Sequence, residues 1–355
     1  MKFLLFPLVT LFLIACQPVE NSIVEWKGKT MGTTYLVKFT QAPDGPALPS
    51  QQEVDKILKQ VNASMSTYIP TSEISKINAD GKKNKPYQLS EDFNRVLEFS
   101  MKVAKKTEGI FDPTIGPLVN LWGFGPSGKR KVPSEQAIEE TKRRVGFQKV
   151  AHDTKQMKVM FVEEGMQLDL SASAKGFGVD KIAEFLNQRR IENYMVEIGG
   201  EVRTRGTKNG KPWRIAIETP DPDFSKKTIQ KVMPLLNLSV ATSGNYRNFF
   251  MENGKGYSHT IDFKTGKPVP GIMASVTVVS PNNCMEADGW ATALMAMGPE
   301  KGIEYTKKYS IAAYFIYAPS DSNDMVSPEN FKTYESIEYK RLFTAQETVL
   351  NKKKD

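Results

Sequence analysis

Apolar and polar positions alternate along "KTMGTTYLVKF" (29–39), and that period of two predicts a strand. After the turn-rich "QAPDGPALPS" (41–50), the period lengthens: Val54, Ile57, Leu58 and Val61 recur at helical spacing within residues 51–68. A second helix is expected from Ser90, as N-cap, to Lys106, with Phe93, Val96, Leu97, Met101 and Val103 on its apolar side and Gly109 past its end. The apolar stretch "FDPTIGPLVNLWGFGP" (111–126) is too rich in glycine and proline for a regular element, so it is expected to cover something. A polar linker (127–142) and a strand near 156–163 come next. "LDLSASAKGFGVDK" (168–181) then reads as a strand breaking into a helix that carries Phe177, Ile182, Phe185 and Leu186.

Paired strand patterns at 194–198 and 201–205 flank Gly199-Gly200, and another follows at 213–218. "SVTVVS" (275–280) has strong strand propensity, a helix is predicted from Met285 to Met297 with its stop at Gly298, and "IAAYFIYA" (311–318) reads as a buried strand. Strands arriving in hairpin-like pairs between isolated helices predict an α+β fold with mainly antiparallel sheets. The chain has no short-period repeat and no Walker pattern.

The first residues change the expected compartment. Lys2, the apolar run Phe3 to Ile14 and then Ala15-Cys16 make a signal peptide too short to span a bilayer. "LIAC" (13–16) is similar to a bacterial lipobox, with Cys16 as the lipid-bearing residue and Gln17, not Asp, after it. The expected organisation is a signal peptide (1–15), a lipid-anchored tether (16–28), one catalytic domain (29–345) and a basic tail (346–355). With Cys16 lipidated, Cys284 has no disulfide partner, and the domain must be stable through its core alone. The net charge of +8 suits an anionic ligand or a membrane surface, or reflects a lysine coat such as "NKKKD" (351–355).

Three stretches can carry chemistry. Asp288 and Thr292 stand at i and i+4 on one helix face, a hard oxygen pair suited to Mg²⁺, although Asp near a helix start also serves as a cap. At 168–181, Asp169, the small residues 171–174 and Lys175 at a helix start either hold a diphosphate or simply allow close packing beside a solvated lysine. His259, beside Asp262 and between glycine-bearing turns, can accept a proton or donate to a phosphate, whereas His152 in "KVAHDTK" is read as a bystander. Cys284 is read as a buried small hydrophobe.

Eight motifs in order, "MGTTY", "MSTYIPTSEISKIN", "FDPTIGPLVNLWGFG", "LDLSASAKGFGVDK", "EIGGEVRTRG", "ATSGNYRNFF", "YSHTIDFKTGKPV" and "EADGWATALMAMG", together resemble the ApbE family of FAD:protein FMN transferases. The resemblance implies a T-fold-related α+β fold with FAD in a cleft between two subdomains. It implies Mg²⁺-dependent cleavage of FAD, transfer of the FMN half to a Thr or Ser of a target protein, and release of AMP. By the same resemblance Met31, Tyr68, Ile110, Phe111, Asp112, Asp169, Lys175 and Ile261 contact FAD. Ala172, through its carbonyl, Asp288 and Thr292 are Mg²⁺ ligands, and His259 is the functional histidine. Some relatives carry Thr at the position of Ala172 and others Glu at that of Lys175. The implied partners are redox subunits, such as those of sodium-pumping quinone reductases, flavinylated at a D-G-x-[ST]-G-[AS]-[ST] type motif that this chain lacks. No nucleic acid is expected. The implied location is a bacterial membrane, facing the periplasm, with the inner membrane favoured by family resemblance. An Mg²⁺-dependent FAD pyrophosphatase and a non-catalytic FAD-binding lipoprotein are the rival readings, and the Asp288–Thr292 pair speaks against the latter.

Overall fold

In the computed structural model the described residues are 22–352, except 42–47, 127, 221–227, 245–248, 254, 270–272 and 320–329. The expected signal peptide and Cys16 lie outside them. The chain opens with a hairpin of β1 (Ser22–Thr30) and β2 (Thr33–Gln41). The expected tether therefore ends earlier than residue 28, and the single strand expected over 29–39 is divided. Met31 (φ 49°) and Gly32 (φ 73°) make the two-residue turn, which needs positive φ at both positions to match strand twist. Trp26 meets Phe39 edge-on at 4.8 Å across the hairpin.

Then come α1 (Gln51–Met65), started by a Ser50–Glu53 capping box, α2 (Glu73–Asp80), β3 (Tyr87–Gln88), and α3 (Glu91–Lys106), capped by Ser90 as predicted. The segment expected to hold no regular element contains a short helix, α4 (Gly116–Leu121), because Pro117 sits in its first turn, where a missing N–H costs nothing. The expected linker likewise contains α5 (Glu135–Lys142), capped by Ser134. β4 (Val150–Asp153), β5 (Lys158–Phe161) and α6 (Ser171–Gln188) follow.

The strand expected to run directly into α6 is not formed: residues 162–170 hold no strand. Leu168 exchanges two hydrogen bonds with the Asn78 side chain, at 2.7 and 2.8 Å, and Asp169 N–H donates to the Pro113 carbonyl at 2.7 Å. The alternation is real, since Met166, Leu168 and Leu170 are all buried, but a side chain and a loop carbonyl meet its backbone needs in place of a ladder.

The rest runs β6 (Tyr194–Ile198), β7 (Glu201–Arg205), β8 (Trp213–Glu218), β9 (Ile229–Leu235), β10 (Ser239–Gly244), β11 (Phe249–Glu252), β12 (Lys255–Ser258), β13 (Ile261–Asp262), β14 (Lys267–Pro268), β15 (Met273–Ser280), α7 (Cys284–Tyr309), β16 (Ala312–Tyr317), β17 (Lys332–Glu335) and α8 (Ile337–Lys352). α7 breaks at Gly298 (φ 75°), where its stop was predicted, then restarts through Pro299 to Tyr309. α8 continues into the expected basic tail.

Eight strands form one antiparallel sheet, in the order β1-β2-β6-β7-β10-β15-β16-β17. One face packs on helices: Val37, Phe39, Val196 and Ile198 against α1 and α6, and Val276, Val278 and Phe315 against α7. On the other face, Val240, Val279, Tyr314 and Ile316 meet Tyr339 of α8 and Ile217 and Met233 of the β8–β9 hairpin. β15 is therefore buried on both faces, and its only polar residues are the small Ser275, Thr277 and Ser280.

Two contacts place the elements around the cleft. α6 and α7 cross so closely that a Cβ on Gly176 would lie 2.5 Å from the Cys284 carbonyl oxygen and 2.8 Å from Asp288 Cβ. The irregular segment before α4 is held by buried Asp112, which accepts from Thr114 N–H (2.8 Å), Thr114 Oγ1–H (2.6 Å) and Phe147 N–H (2.8 Å). Gly176→Ala is expected to lower stability by about 1–3 kcal/mol through overpacking at the crossing, read as a shift in urea midpoint. Asp112→Ala should cost about 2–3 kcal/mol by orphaning buried donors. If Asp112 served FAD with its side chain instead, stability would hold and only FAD affinity would change.

Candidate functional site

A cleft of about 760 Å³ opens between the 110–125 segment, the N-terminal turns of α6 and α7, the β6–β7 turn and the β8–β9 hairpin. Tyr68, Ile110, Phe111, Asp112, Asp169, Ala172, Lys175, His259, Ile261, Asp288 and Thr292 all line it. Met31 does not. Its positive φ commits it to the hairpin turn, and its side chain packs into the core against Gly178 of α6, while Thr33 and Thr34 reach the cleft.

The floor is built by α6 and α7. The Asp288 carboxylate is buried, and the one hydrogen bond that described residues make to it is from Gly176 N–H to Oδ2, at 2.9 Å. That N–H is also the group that would close the helical bond onto the Ala172 carbonyl four residues earlier. Thr292, one turn beyond Asp288, brings its hydroxyl to 3.4 Å from Ser243 Oγ on β10. A carboxylate oxygen, a hydroxyl and a main-chain carbonyl are the hard donors that a small divalent cation takes. They fit Mg²⁺, though among the described residues no group of three or more His, Cys, Asp or Glu could hold a metal.

Lys175 lines the cleft with its side chain about one-third exposed, but its ammonium is paired. Its Nζ lies 2.6 Å from Oε2 of Glu201, which is 1% exposed at the start of β7. Two residues along the same strand face, Arg203 Nη1 meets buried Asp180 at 2.7 Å, and Asp180 also accepts Cys284 N–H and Met285 N–H, each at 2.9 Å. Sequence reasoning missed Glu201 and Arg203. The signal was the alternation "EVRTR" (201–205), which puts charges on the face turned toward α6.

Burial pushes Glu201 up to about 8, helped by Asp288 and opposed by Lys175. Burial likewise raises Asp288 to about 6 against the pull of Lys175 and Gly176 N–H. Burial alone would depress the Lys175 ammonium, but Glu201 and Asp288 carry it above its usual range. Two buried carboxylates thus share one ammonium, and the floor has room for further positive charge.

At the rim, Tyr68 is 67% exposed and donates to the Phe124 carbonyl at 3.1 Å. Asp169 Oδ1 accepts from Ser171 N–H at 2.9 Å and so begins α6. His259 follows β12, its ring edge-on to Phe124 at 6.4 Å. Phe124 packs on Phe250, Phe250 stacks on Tyr257, and Tyr257 packs on Trp122, an apolar base beneath the histidine. His152 lies away from the cleft, its ring 2.7 Å from Asn94 Oδ1, as a bystander should. Cys284 is fully buried, and burial holds its thiol well above the usual range, so it is inert.

The chain as a whole is similar to known proteins. The ApbE family pattern matches residues 31–315. The FAD:protein FMN transferase of Haemophilus influenzae is 42% identical over 332 residues, covering 91% of this chain and 94% of the relative. That of Vibrio cholerae is 39% identical, covering 91% and 96%. The flavin transferase ApbE structure from Vibrio cholerae superposes with a TM-score of 0.80 at 38% identity, covering 90% of this chain and 99% of that one. The apo flavinyl transferase ApbE of Pseudomonas stutzeri gives 0.81 at 33% identity, covering 92% and 98%. With the α+β architecture, the cleft and these matches over nearly the whole chain, the protein is a transferase that belongs to the ApbE family.

Proposed function

We propose that this chain is an Mg²⁺-dependent FAD:protein FMN transferase. The observation that carries the reading is the meeting of Asp288, Thr292 and Ala172 beside Lys175 in one cleft large enough for a dinucleotide. The names of the relatives, FAD:protein FMN transferase, support the substrate. In the proposed reaction an acceptor Thr or Ser hydroxyl attacks the flavin-side phosphorus of FAD. A new phosphoester bond forms there, the bond to the bridging oxygen breaks, and AMP leaves.

Asp288, Thr292 and the Ala172 carbonyl would hold Mg²⁺, which supplies charge neutralisation to the phosphate oxygens. Lys175 adds a fixed positive charge at the α6 N-terminus, where backbone N–H groups favour a diphosphate. His259, on its aromatic base, takes or orients the proton of the acceptor hydroxyl through a ring nitrogen. The Phe111–Phe124 wall keeps water from the phosphorus, which favours a protein hydroxyl over hydrolysis. The acceptors are electron-transfer subunits bearing the Thr/Ser flavinylation motif. The enzyme reaches them from a periplasm-facing membrane surface, anchored through Cys16, because the lipobox-like "LIAC" precedes a domain that needs no disulfide.

Incubation with FAD, Mg²⁺ and an acceptor domain should give covalent flavin fluorescence on the acceptor in a denaturing gel. Free FMN with AMP and an unlabelled acceptor would identify a hydrolase, and intact FAD a storage protein. Asp288→Ala should slow transfer by about 10²–10⁴-fold; full transfer by that variant would remove Asp288 from the mechanism. Because a ligating carboxylate must be ionised and that of Asp288 is raised to about 6, apparent Mg²⁺ affinity should fall about tenfold per pH unit below that value. The sign for stability is opposite. The folded state holds this proton more tightly than the unfolded chain, so the contribution of Asp288 to stability grows as pH falls from about 6. Metal titrations and urea midpoints at pH 5 and pH 7 read the two trends separately.

A further inference from the structure

Lys175 immediately precedes Gly176, the residue whose N–H is bonded to Asp288 Oδ2 at 2.9 Å, so its flexible four-carbon stem is rooted beside the carboxylate of Asp288. Its ammonium nevertheless lies on Glu201, 2.6 Å from Oε2. Glu201 is 1% exposed and reaches the cleft from β7, the strand that also grips α6 through the Arg203–Asp180 pair. An ammonium released from Glu201 would find Asp288 as the nearest buried negative group, and it would then sit where a divalent cation must bind.

We infer that Glu201 is a positioning residue for cation binding: it holds the Lys175 ammonium off Asp288 and so keeps the cleft-facing oxygen of that carboxylate for the metal. The inference rests on the reading of Asp288 and Thr292 as metal ligands. Lys175 is then a built-in competitor for the cation, kept idle by Glu201, and the floor has two charge arrangements. With Glu201 present the ammonium is paired and the cation site stands open. Without it the ammonium itself satisfies Asp288. Glu201 does not touch the reacting atoms in either arrangement.

The test is Mn²⁺ binding, a paramagnetic stand-in for Mg²⁺ that takes the same oxygen donors, measured on the full folded chain without FAD by the electron paramagnetic resonance signal of free Mn²⁺. Four forms are compared: wild type, Glu201→Gln, Lys175→Met and the double variant, with the melting temperature of each. The expectation is that Glu201→Gln weakens Mn²⁺ binding about tenfold or more, while Lys175→Met and the double variant bind at least as tightly as wild type. A purely structural role would lower the melting temperature of Glu201→Gln without moving its Mn²⁺ affinity, and that result overturns the inference. So does a double variant as weak as Glu201→Gln. Should Glu201→Gln not fold, Lys175→Met decides alone, since weaker binding by it contradicts a competing ammonium. Wild type that takes up no Mn²⁺, or an Asp288→Ala variant that binds as wild type does, removes the metal reading and this inference with it.

Discussion

Every distance in the cleft depends on how closely α6 can approach α7. The absence of a side chain at Gly176 lets the backbone of one helix touch the first turns of the other, with the Cys284 carbonyl and Asp288 Cβ where a methyl group would be. Asp180, about one turn further along α6, then caps α7 from the side by accepting Cys284 N–H and Met285 N–H. These contacts fix both the separation and the axial register of the helices. A helix end capped by a neighbouring helix cannot slide without breaking two buried hydrogen bonds. Ala172 on one helix and Asp288 and Thr292 on the other are therefore held at one place by contacts that are themselves not part of the reaction.

Burying this much charge is costly, and the fold offsets the cost by pairing. β7 presents Glu201 and Arg203 to α6, where Lys175 and Asp180 wait at matching height. The Asp180–Arg203 pair is completed by two N–H donors and is structural. With the adjacent Asp288, the Lys175–Glu201 pair is left with one negative charge in excess, and that residual charge is what makes the floor attractive to a cation. The structural and the functional charges thus sit on the same two elements, two residues apart on the strand.

The walls are irregular for a related reason. The 110–125 segment and the loop carrying His259 are not held by sheet or long-helix hydrogen bonding, so buried side chains hold them: hydrogen bonds to Asp112 and Thr114 beneath one, the Trp122–Tyr257–Phe250–Phe124 ring packing beneath the other. Irregular backbone held this firmly can present carbonyls, N–H groups and aromatic faces to a ligand without the freedom of an ordinary loop.

Periodicity and punctuation alone determined the α+β class, the strand pairs around Gly199-Gly200, the Ser90 cap, the break at Gly298 and the Asp288–Thr292 face, because each depends on residues within about a turn of one another. The Asp169–Lys175 stretch was legible as polar chemistry at a helix start. Its two open readings, a diphosphate site and close helix packing, proved to be compatible, since Gly176 serves the packing while Lys175 faces the cleft. Elsewhere local pattern misled wherever a distant group supplied what the backbone needed. Asn78 and Pro113 stood in for a strand partner at 168–169, and β2 recruited the supposed tether as its neighbour. Asp112 lines the cleft, and only the tertiary structure shows that its side chain also ties down its own loop. Only the tertiary structure could pair Lys175 with Glu201, Asp180 with α7 and Thr292 with Ser243. Those partners are 26 to more than 100 residues apart, and nothing in a local pattern encodes which buried charge will stand opposite another.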